Sequence, residues 1–370
     1  MNKAYLRRFI FKNLKKSKLI FNVHEWICGY KDIRDKRAEY AGQEFKSPDR
    51  IKREKKIIKD YWHCGAFHYE RYGLAYKDLS DDQILDYVPT FYHHVTLEKA
   101  HKGIDTVKYD NKLTQAELFA ERGIPSADTI GVYHNGICKT ILGDKKIDFE
   151  KEVKESISVS NRKVFLKEAG ANGGFGIFVL KQIDGNFIIN GQKSEFDQLY
   201  HILEKDKYYI VQKGIIQTRQ LSSINETSVN TLRIVAIKED GVMKLKTCNL
   251  RMGRSGKEVD NNGQRGMGVQ VNIKDGSLAE TATARIGGGT FYKHPDSNVV
   301  FKGFKINNWD EVFEKTERIA SKLIDFNNVG LDIALTDEGP ILVEFNFRYG
   351  IEQQQVVFGG VRKLLNIYPS

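Results

Sequence analysis

Cysteine is scarce in this chain of 370 residues, and its four cysteines are scattered along the sequence. None of them forms a C-x-x-C pair, so the pattern fits reduced thiols better than a disulfide framework or a zinc site. No apolar run approaches the roughly 18–20 residues that span a bilayer. The apolar segments near the N-terminus are split by KNLKK at 12–16, which excludes a signal peptide. We therefore expect a cytoplasmic protein.

The body of the chain lacks an excess of either charge. The first 60 residues carry 18 Lys and Arg and 8 Asp and Glu. Their net charge is therefore +10, which equals the net charge of the whole chain. Residues 61–370 are therefore neutral overall, and we expect no nucleic-acid partner, which would need a basic groove. The basic segment 1–21 has two interpretations: an amphipathic helix on an anionic membrane at its inner face, or a terminal helix with a solvated basic face.

Residues 1–104 are predicted to form a mainly helical, basic and aromatic-rich region. Helix starts are indicated by Ser47-Pro48, a serine cap followed by proline, and by Ser80. The histidines between 63 and 94 follow no spacing that is typical of metal ligands. We expect them to be structural. The aromatic side chains around them could stack on sugar rings, but core packing is the favoured interpretation.

Residues 330–346, GLDIALTDEGPILVEFN, predict a β-hairpin, because two apolar runs flank the polar turn at 336–339. Glu344 and Asn346 share one face of the second strand, and pairing across the hairpin can bring Asp332 beside them. Carboxylate and amide oxygens suit Mg²⁺. An ordinary surface strand would pair the same acids with Lys or Arg instead. This stretch alone leaves both interpretations open.

Residues 163–179, KVFLKEAGANGGFGIFV, predict two strands joined by a glycine-rich loop. Lys167 ends the first strand, and Gly173, Gly174 and Gly176 lie in the loop. Backbone N–H groups of such a loop can close on phosphate oxygens while the lysine supplies charge. The segment is neither a Walker A nor a Rossmann motif, because no G-K-[ST] follows and the next element is a strand. A simple turn is the alternative interpretation.

The rest of the chain predicts helices and strands that carry polar residues near their ends. A helix capped by Asp110 runs to about Arg122, with Lys112 in its first turn. Strands are expected at 208–218, 223–237 and 244–253, a glycine-rich loop at 253–268, a helix at 309–327 and a short helix around 359–367. Polar side chains on the strands and the loop are Gln212, Lys213, Asn230, Arg233, Arg251 and Arg265.

The order of these features resembles the ATP-grasp superfamily. The fragment DNKLTQAELFAERGIPSADT resembles the entry helix of that family, and VEFN resembles its metal-binding E-x-N. SVNTLRIVAI, LRMG, VDNNG and the hairpin are closer to the sugar-transfer-associated branch found in polysaccharide gene clusters. The similarity spans about residues 105–356. It implies an α+β ATP-grasp fold, in which subdomains 105–215 and 216–370 clamp ATP behind the helical region 1–104.

The resemblance also implies roles for individual residues. One or two Mg²⁺ ions would be held by Asp332, Glu344 and Asn346. The residues implied in ATP binding are Lys112, Lys167, Gly173, Gly174, Gly176, Gln212, Lys213, Ile215 and Asn230. The residues implied in catalysis are Arg233, Arg251 and Lys167. Two positions depart from the family pattern: Gln212 replaces a frequent Glu, and Gly330 replaces an arginine, so Arg233, Arg251 or Arg265 must supply that charge.

The activity that the resemblance implies is an ATP- and Mg-dependent carboxylate–amine ligation through an acyl phosphate. The branch implies a uronic acid of a bacterial capsule or other surface polysaccharide as the carboxylate, and an amino acid or amino alcohol as the amine. The expected partners are therefore a carboxylated sugar or glycan and a small amine. Two alternatives are a kinase of a sugar or lipid-linked sugar, and a non-catalytic assembly factor at the membrane.

Overall fold

The computed structural model describes residues 33–160, 162–171, 176–254, 266–284 and 288–369. The segment 1–21, Gly173, Gly174 and Arg265 lie outside these ranges, so their expected roles stay predictions. The described residues build two antiparallel sheets flanked by helices. No helix within the described ranges is long and apolar enough to cross a bilayer.

The N-terminal part is helical, as expected. Residues 33–39 are helical, followed by α1 (Pro48–Trp62), α2 (Phe67–Arg71), α3 (Asp81–Leu85), α4 (Thr90–Ala100) and α5 (Thr106–Tyr109). The Ser47 side chain accepts a hydrogen bond from the N–H of Arg50, and Ser80 forms a capping box with Gln83. Both helix starts are thus confirmed, because a serine hydroxyl satisfies a backbone donor that the first turn leaves unpaired.

Aromatic residues of this region form a core rather than a stacking surface. Trp62, Tyr69 and Tyr92 are fully or almost fully buried, and they share a cluster with Val235 and Ile237 of the second sheet. The helical region therefore covers part of one face of that sheet. The histidines are structural where they are buried: a ring nitrogen of His93, for example, bonds to a backbone carbonyl at 2.9 Å.

The next part of the chain contains α6 and the first sheet. Its elements are α6 (Lys112–Glu121), β1 (Thr129–His134), β2 (Ile137–Lys139), β3 (Lys146–Ile147), α7 (Phe149–Ser160), β4 (Val164–Glu168), β5 (Ile177–Ile183), β6 (Asn186–Ile189), β7 (Gln192–Lys193), α8 (Phe196–Ile202) and β8 (Tyr208–Lys213). The strand order is β3-β2-β1-β8-β4-β5-β6-β7. The glycine-rich segment therefore joins neighbouring antiparallel strands, as predicted.

One cap in this part differs from the prediction. Asn111, not Asp110, caps α6, and its side-chain oxygen accepts hydrogen bonds from the N–H groups of Leu113 and Thr114. Asp110 instead ends α5, where its N–H donates to the carbonyl of Thr106. Asp and Asn are both good caps, so two adjacent candidates leave the first residue of the helix undecided from sequence.

The second sheet follows. Its elements are α9 (Arg219–Ser222), β9 (Thr231–Glu239), β10 (Val242–Met252), β11 (Met267–Val271), β12 (Leu278–Thr283), β13 (Thr290–Phe291), α10 (Trp309–Ser321), β14 (Asn328–Thr336), β15 (Gly339–Asn346) and α11 (Ile351–Phe358). The strand order is β13-β12-β11-β10-β9-β14-β15. The last helix was expected around 359–367, but it ends before Gly359, whose φ of 79° favours glycine.

Alternation along β9 sends its side chains to two faces of the second sheet, and Arg233 shares its face with the buried Val235 and Ile237. Leu232, Ile234 and Ala236 are buried in the core cluster that includes α10, whereas Arg233 points to the opposite face. Helix α6 also belongs to this core through Leu118 and Phe119. The helix that carries Lys112 is therefore anchored to the second sheet, although it precedes the first sheet in the chain.

Candidate functional site

The hairpin of β14 and β15 has the register that the sequence predicted. Asp332 lies directly opposite Glu344, and Gly330 lies opposite Asn346. On its other side Asp332 lies opposite Arg233 of β9. Directly opposite residues of paired strands share a face. The sheet therefore sets an arginine, an aspartate and a glutamate in one row on the face opposite α10.

Two arginines contact Asp332. Arg233 forms a bidentate pair with it, with Nε–Oδ1 and Nη2–Oδ2 distances of 2.5 and 2.8 Å, and Arg251 Nη1 lies 3.2 Å from both carboxylate oxygens. Burial alone would raise the pKa of Asp332, but the two guanidinium charges lower it to about 2. The sequence left two interpretations of Asp332, a ligand of Mg²⁺ or an acid paired with Lys or Arg. The structure shows the pairing with arginine, and Asp332 also lies beside Glu344, where the metal site was expected.

Glu344 lies in a different environment. Burial and the neighbouring charge of Asp332 raise its pKa. Its Oε1 accepts a hydrogen bond from Asn346 Nδ2 at 3.3 Å. Among the residues described, no group of three His, Cys, Asp or Glu side chains could hold a metal ion. Two adjacent carboxylates and an amide oxygen nevertheless fit a Mg²⁺ that takes its other ligands from phosphate and water, because such a cation would relieve their repulsion.

The charge of Glu344 acts on two lysines. Lys112 Nζ donates to the carbonyl of Ala171. Burial lowers the pKa of both Lys112 and Lys167, and the charge of Glu344 opposes that shift in each case. Both lysines therefore lie within electrostatic range of the acidic hairpin, although 177 positions separate Lys167 from Glu344 in the sequence.

The loop between β4 and β5 is closed at its described end by a glycine. Gly176 has φ +66°, and a Cβ on it would lie 2.8 Å from the Cβ of Glu168. Both the backbone conformation and the space therefore require glycine here. The backbone N–H of Lys112 donates to the carbonyl of Ala169 at 3.0 Å, so the start of α6 and the start of this loop are held together.

Three residues that the resemblance implies in ATP binding lie in β8 or just after it: Gln212, Lys213 and Ile215. Gln212 lies in β8 between β1 and β4, and its Nε2 donates to Thr129 Oγ1 at 3.1 Å. The N–H of Lys213 donates to the carbonyl of Asp128 at 2.8 Å, so that N–H group is already bonded within the sheet. Ile215 follows the strand and lines a cavity of about 230 Å³ together with Phe165. Ile215, which the family resemblance implies in ATP binding, thus lies beside an open space.

The side chain of Asn230 forms hydrogen bonds to the segment that precedes β9. It is fully buried, and its Nδ2 donates to Gln217 Oε1 and to the carbonyls of Leu221 and Asn225, each at 2.9 Å. These bonds brace the segment between β8 and β9. None of these partners is one of the two lysines or a residue of the acidic hairpin.

A close contact explains why position 330 carries no arginine. A Cβ on Gly330 would lie 2.8 Å from the Cβ of Tyr349. The hydroxyl of Tyr349 donates to Asn328 Oδ1 at 2.9 Å, which fixes the ring over the glycine. No larger residue fits at 330 without moving Tyr349. Arg233 and Arg251 supply positive charge on the same face of the sheet.

Gln115 is a positioning residue that the sequence did not reveal. Its Nε2 donates to the carbonyl of Phe345 at 2.8 Å, and its Oε1 accepts from the N–H of Phe345 at 3.1 Å. These two bonds fix α6 against β15 between Glu344 and Asn346. A glutamine one turn after Lys112 was the only signal in the sequence, and its partner is 230 positions away.

The fold and this site define an ATP-grasp protein. The chain belongs to the sugar-transfer associated ATP-grasp family, whose family model matches residues 97–366. That match confirms the expected ATP-grasp fold, of which ATP and Mg²⁺ are typical cofactors. A comparison with the sequences of curated proteins gave no match.

Solved structures with similarity to the chain include three ligases. Phosphoribosylamine–glycine ligase from Thermotoga maritima is 13% identical with a TM-score of 0.41, over 76% of this chain and 61% of that one. D-alanyl-alanine synthetase A from Vibrio cholerae is 12% identical with a TM-score of 0.38, and the match covers 70% of this chain and 65% of that one. D-alanine–D-alanine ligase from Bacillus anthracis is 11% identical with a TM-score of 0.36, and the match covers 70% of this chain and 66% of that one. The chain spans between 58% and 66% of the length of the first matched structures.

Proposed function

We propose that this protein is an ATP- and Mg-dependent carboxylate–amine ligase that forms an amide through an acyl phosphate. The observation that carries the proposal is that Lys112 and Lys167 lie within electrostatic range of Glu344, which faces Asp332 and its two arginines. This arrangement sets cations for phosphate oxygens next to carboxylates for Mg²⁺. Membership of the sugar-transfer associated ATP-grasp family supports the same chemistry.

The lysines would bind the phosphates of ATP. Both ammonium groups are partly withdrawn from water, so each interacts more strongly with a phosphate than an exposed lysine would. Asp332, Glu344 and Asn346 would hold Mg²⁺, which when bound offsets the negative charge of the phosphates during transfer. The loop before Gly176 would cover the phosphates, and the segment at Ile215 would contact adenine.

Arg233 and Arg251 would bind the carboxylate of the acceptor. Their pairing with Asp332 holds both guanidinium groups in place, so little reorganisation is needed when an anion approaches. A carboxylate oxygen attacks the γ-phosphorus and the bond to ADP breaks. The amine then attacks the acyl carbon, phosphate leaves, and the amine loses a proton. The same arginines stabilise the charge of the acceptor before transfer and of the acyl phosphate after it.

A uronic acid is the acceptor that the family assignment favours, because its association with sugar transfer supports a sugar that bears a carboxylate. An amino acid or amino alcohol would supply the amine. We place the reaction in the cytoplasm, on a precursor of a bacterial surface polysaccharide. Contact of residues 1–21 with an anionic membrane stays a separate prediction from the basic sequence.

The test is the dependence of ADP release on both substrates. The full chain is incubated with Mg–ATP and D-glucuronate or D-galacturonate, with and without L-serine or ethanolamine, and ADP and the amide are measured. We expect ADP release that requires the sugar acid and amide that appears only with the amine. ADP release with neutral glucose alone would indicate a kinase. Nucleotide binding without turnover on any of these acceptors would indicate a non-catalytic binding factor.

A further inference from the structure

A cavity of about 150 Å³ lies between α4 and the segment that follows β15. Its lining consists of polar side chains and one leucine: His94, Leu97, Glu98, His101, Thr106 and Arg348. Glu98 and Arg348 are exposed, so the cavity can be reached from solvent. The reaction proposed above uses none of these residues. The cavity is smaller than the roughly 300–1,000 Å³ of sites for drug-sized ligands, which suits a molecule of amino-acid size.

The cavity lies close to the acidic hairpin. Arg348 follows Asn346 by two residues, so their Cα atoms are at most about 7 Å apart. On another wall, Thr106 begins α5, which is followed by α6 with Lys112 as its first residue. Gln115 fixes α6 against β15. A ligand in the cavity would therefore lie next to the region where the proposed acyl phosphate forms.

His101 forms a wall that is held in place. Its Nε2 bonds to the backbone carbonyl of Asn328 at 2.7 Å, and its ring contacts that of Phe347 edge-on, with 5.0 Å between the centroids. Burial, and to a smaller extent the charge of Arg348, lowers the pKa of His101. The ring is therefore neutral at pH 7, and it contributes shape rather than charge to the cavity.

The two charged side chains of the cavity have opposite signs. Glu98 is anionic and Arg348 is cationic, and within the described ranges neither side chain forms an ion pair or a hydrogen bond. A guanidinium binds a carboxylate through two parallel N–H donors, and a carboxylate accepts hydrogen bonds from an ammonium group. An α-amino acid carries a carboxylate and an ammonium group on one carbon atom, whereas an amino alcohol lacks the carboxylate.

We propose that this cavity binds the amine substrate, and that the substrate is a small α-amino acid rather than an amino alcohol. The proposal rests on the proposed ligase function. Arg348 binds the carboxylate of the amino acid, and Glu98 binds its ammonium group. The Thr106 hydroxyl both donates and accepts hydrogen bonds, which suits a short polar side chain such as that of serine.

The test measures equilibrium binding, which needs no turnover. The full chain with Mg²⁺ and a non-hydrolysable ATP analogue is titrated with L-serine by ligand-observed NMR. Two analogues each lack one charge: ethanolamine has no carboxylate, and L-glycerate has a hydroxyl in place of the ammonium group. Arg348→Gln and Glu98→Gln remove the two protein charges. The matched controls are Arg318→Gln and Glu317→Gln, which change exposed residues of α10 outside the cavity.

We expect wild type and both controls to bind L-serine more tightly than either analogue. Each cavity variant should bind L-serine about fivefold or more weakly, because a charged hydrogen bond is lost, while its nucleotide affinity stays within about twofold. Arg348→Gln should also lose the preference for L-serine over ethanolamine, and Glu98→Gln the preference over L-glycerate. A merely structural role would not separate the two preferences in this way.

Three results would overturn the proposal: no L-serine binding by a wild type that binds nucleotide, equal wild-type affinity for L-serine and ethanolamine, or unchanged L-serine affinity in both cavity variants. The proposed ligase function fails separately. Charge-selective L-serine binding without amide formation from any sugar acid would retain the amino-acid site and refute the ligase. Amide formation with ethanolamine as readily as with L-serine would retain the ligase and refute the amino-acid preference.

Discussion

The protein stabilises the negative charge of Asp332 but disfavours that of Glu344. Asp332 and Glu344 face each other across the hairpin, but only Asp332 contacts two guanidinium groups. The pKa of Asp332 is therefore lowered and that of Glu344 is raised. Neighbouring carboxylates whose pKa values move apart are frequent at functional sites. We therefore expect the two acids to respond differently to substitution.

Replacing Glu344 with glutamine should stabilise the ligand-free protein while abolishing Mg–ATP turnover. The raised pKa means that the folded state disfavours ionised Glu344, so wild type loses stability as pH rises from the usual value of 4.5 through the folded pKa. Glutamine does not ionise. The melting temperature of Glu344→Gln minus that of wild type should therefore increase between pH 4.5 and pH 8, measured by thermal unfolding. The exposed Glu338→Gln should show no such difference, and equal behaviour of the two variants would contradict the burial argument.

Replacing Asp332 with asparagine should lower stability as well as activity. Arg233 and Arg251 would keep their charges in a buried site without the carboxylate that contacts both of them, which costs about 3 kcal/mol or more. The lowered pKa means that the contribution of Asp332 is present above its usual value of 3.8 and is lost as pH falls toward 2. Urea unfolding at pH 7 and pH 3 measures both effects. Asp337→Asn in the exposed turn is the control, and a loss as small as in that control would refute the assignment.

At the scale of elements, α6 and β15 act as one unit because Gln115 bonds to both backbone groups of Phe345. Gln115→Leu should leave these buried groups unpaired and destabilise the protein by about 1–3 kcal/mol. Since α6 carries Lys112 and β15 carries Glu344, the variant should also need more Mg²⁺ for half-maximal turnover. Amide hydrogen exchange at Phe345 and Mg²⁺ titrations measure these effects. The exposed Gln182→Leu is the control, and an unchanged Mg²⁺ requirement would contradict the positioning role.

Elements whose signals are local were predictable from sequence, and contacts between distant residues were not. Ser47-Pro48, Ser80 and the hairpin at 330–346 depend on neighbouring residues, and the structure has all three where they were expected. The packing of Tyr349 on Gly330 and the bonds of Gln115 depend on the tertiary fold. The start of α6 was misassigned by one residue, because Asp110 and Asn111 satisfy the same rule.

At the scale of the whole molecule, hydrophobic cores cover both faces of the second sheet. The N-terminal helices, the segment after β15 and Val235 of β9 share one buried cluster, which includes Ile351 and Val361. On the opposite face α6 and α10 share the other core. The helical region therefore supports the sheet that carries Asp332, and the sequence could not show this because its partners lie more than a hundred residues apart.

Deleting residues 33–104 together with the preceding segment should prevent cooperative folding. The truncated chain would expose Val235, Ile351, Val361 and their neighbours, and a buried aliphatic side chain contributes about 1.5–3 kcal/mol. Thermal unfolding and light scattering of the purified fragment 105–370 measure the effect. Deletion of residues 1–21 alone is the comparison. A fragment 105–370 that unfolds cooperatively at the wild-type temperature would show that the helical region is an independent domain.

In the proposed reaction, ATP phosphorylates a carboxylate, and the acyl group is then transferred to an amine. Labelling both carboxylate oxygens of glucuronate with ¹⁸O tests this, when the phosphate released with Mg–ATP, the full chain and L-serine or ethanolamine is analysed. We expect one ¹⁸O atom in each released phosphate, because the acyl-phosphate oxygen comes from the carboxylate and leaves with phosphorus. Released phosphate without ¹⁸O, while amide forms or ATP is consumed, would rule out the acyl phosphate.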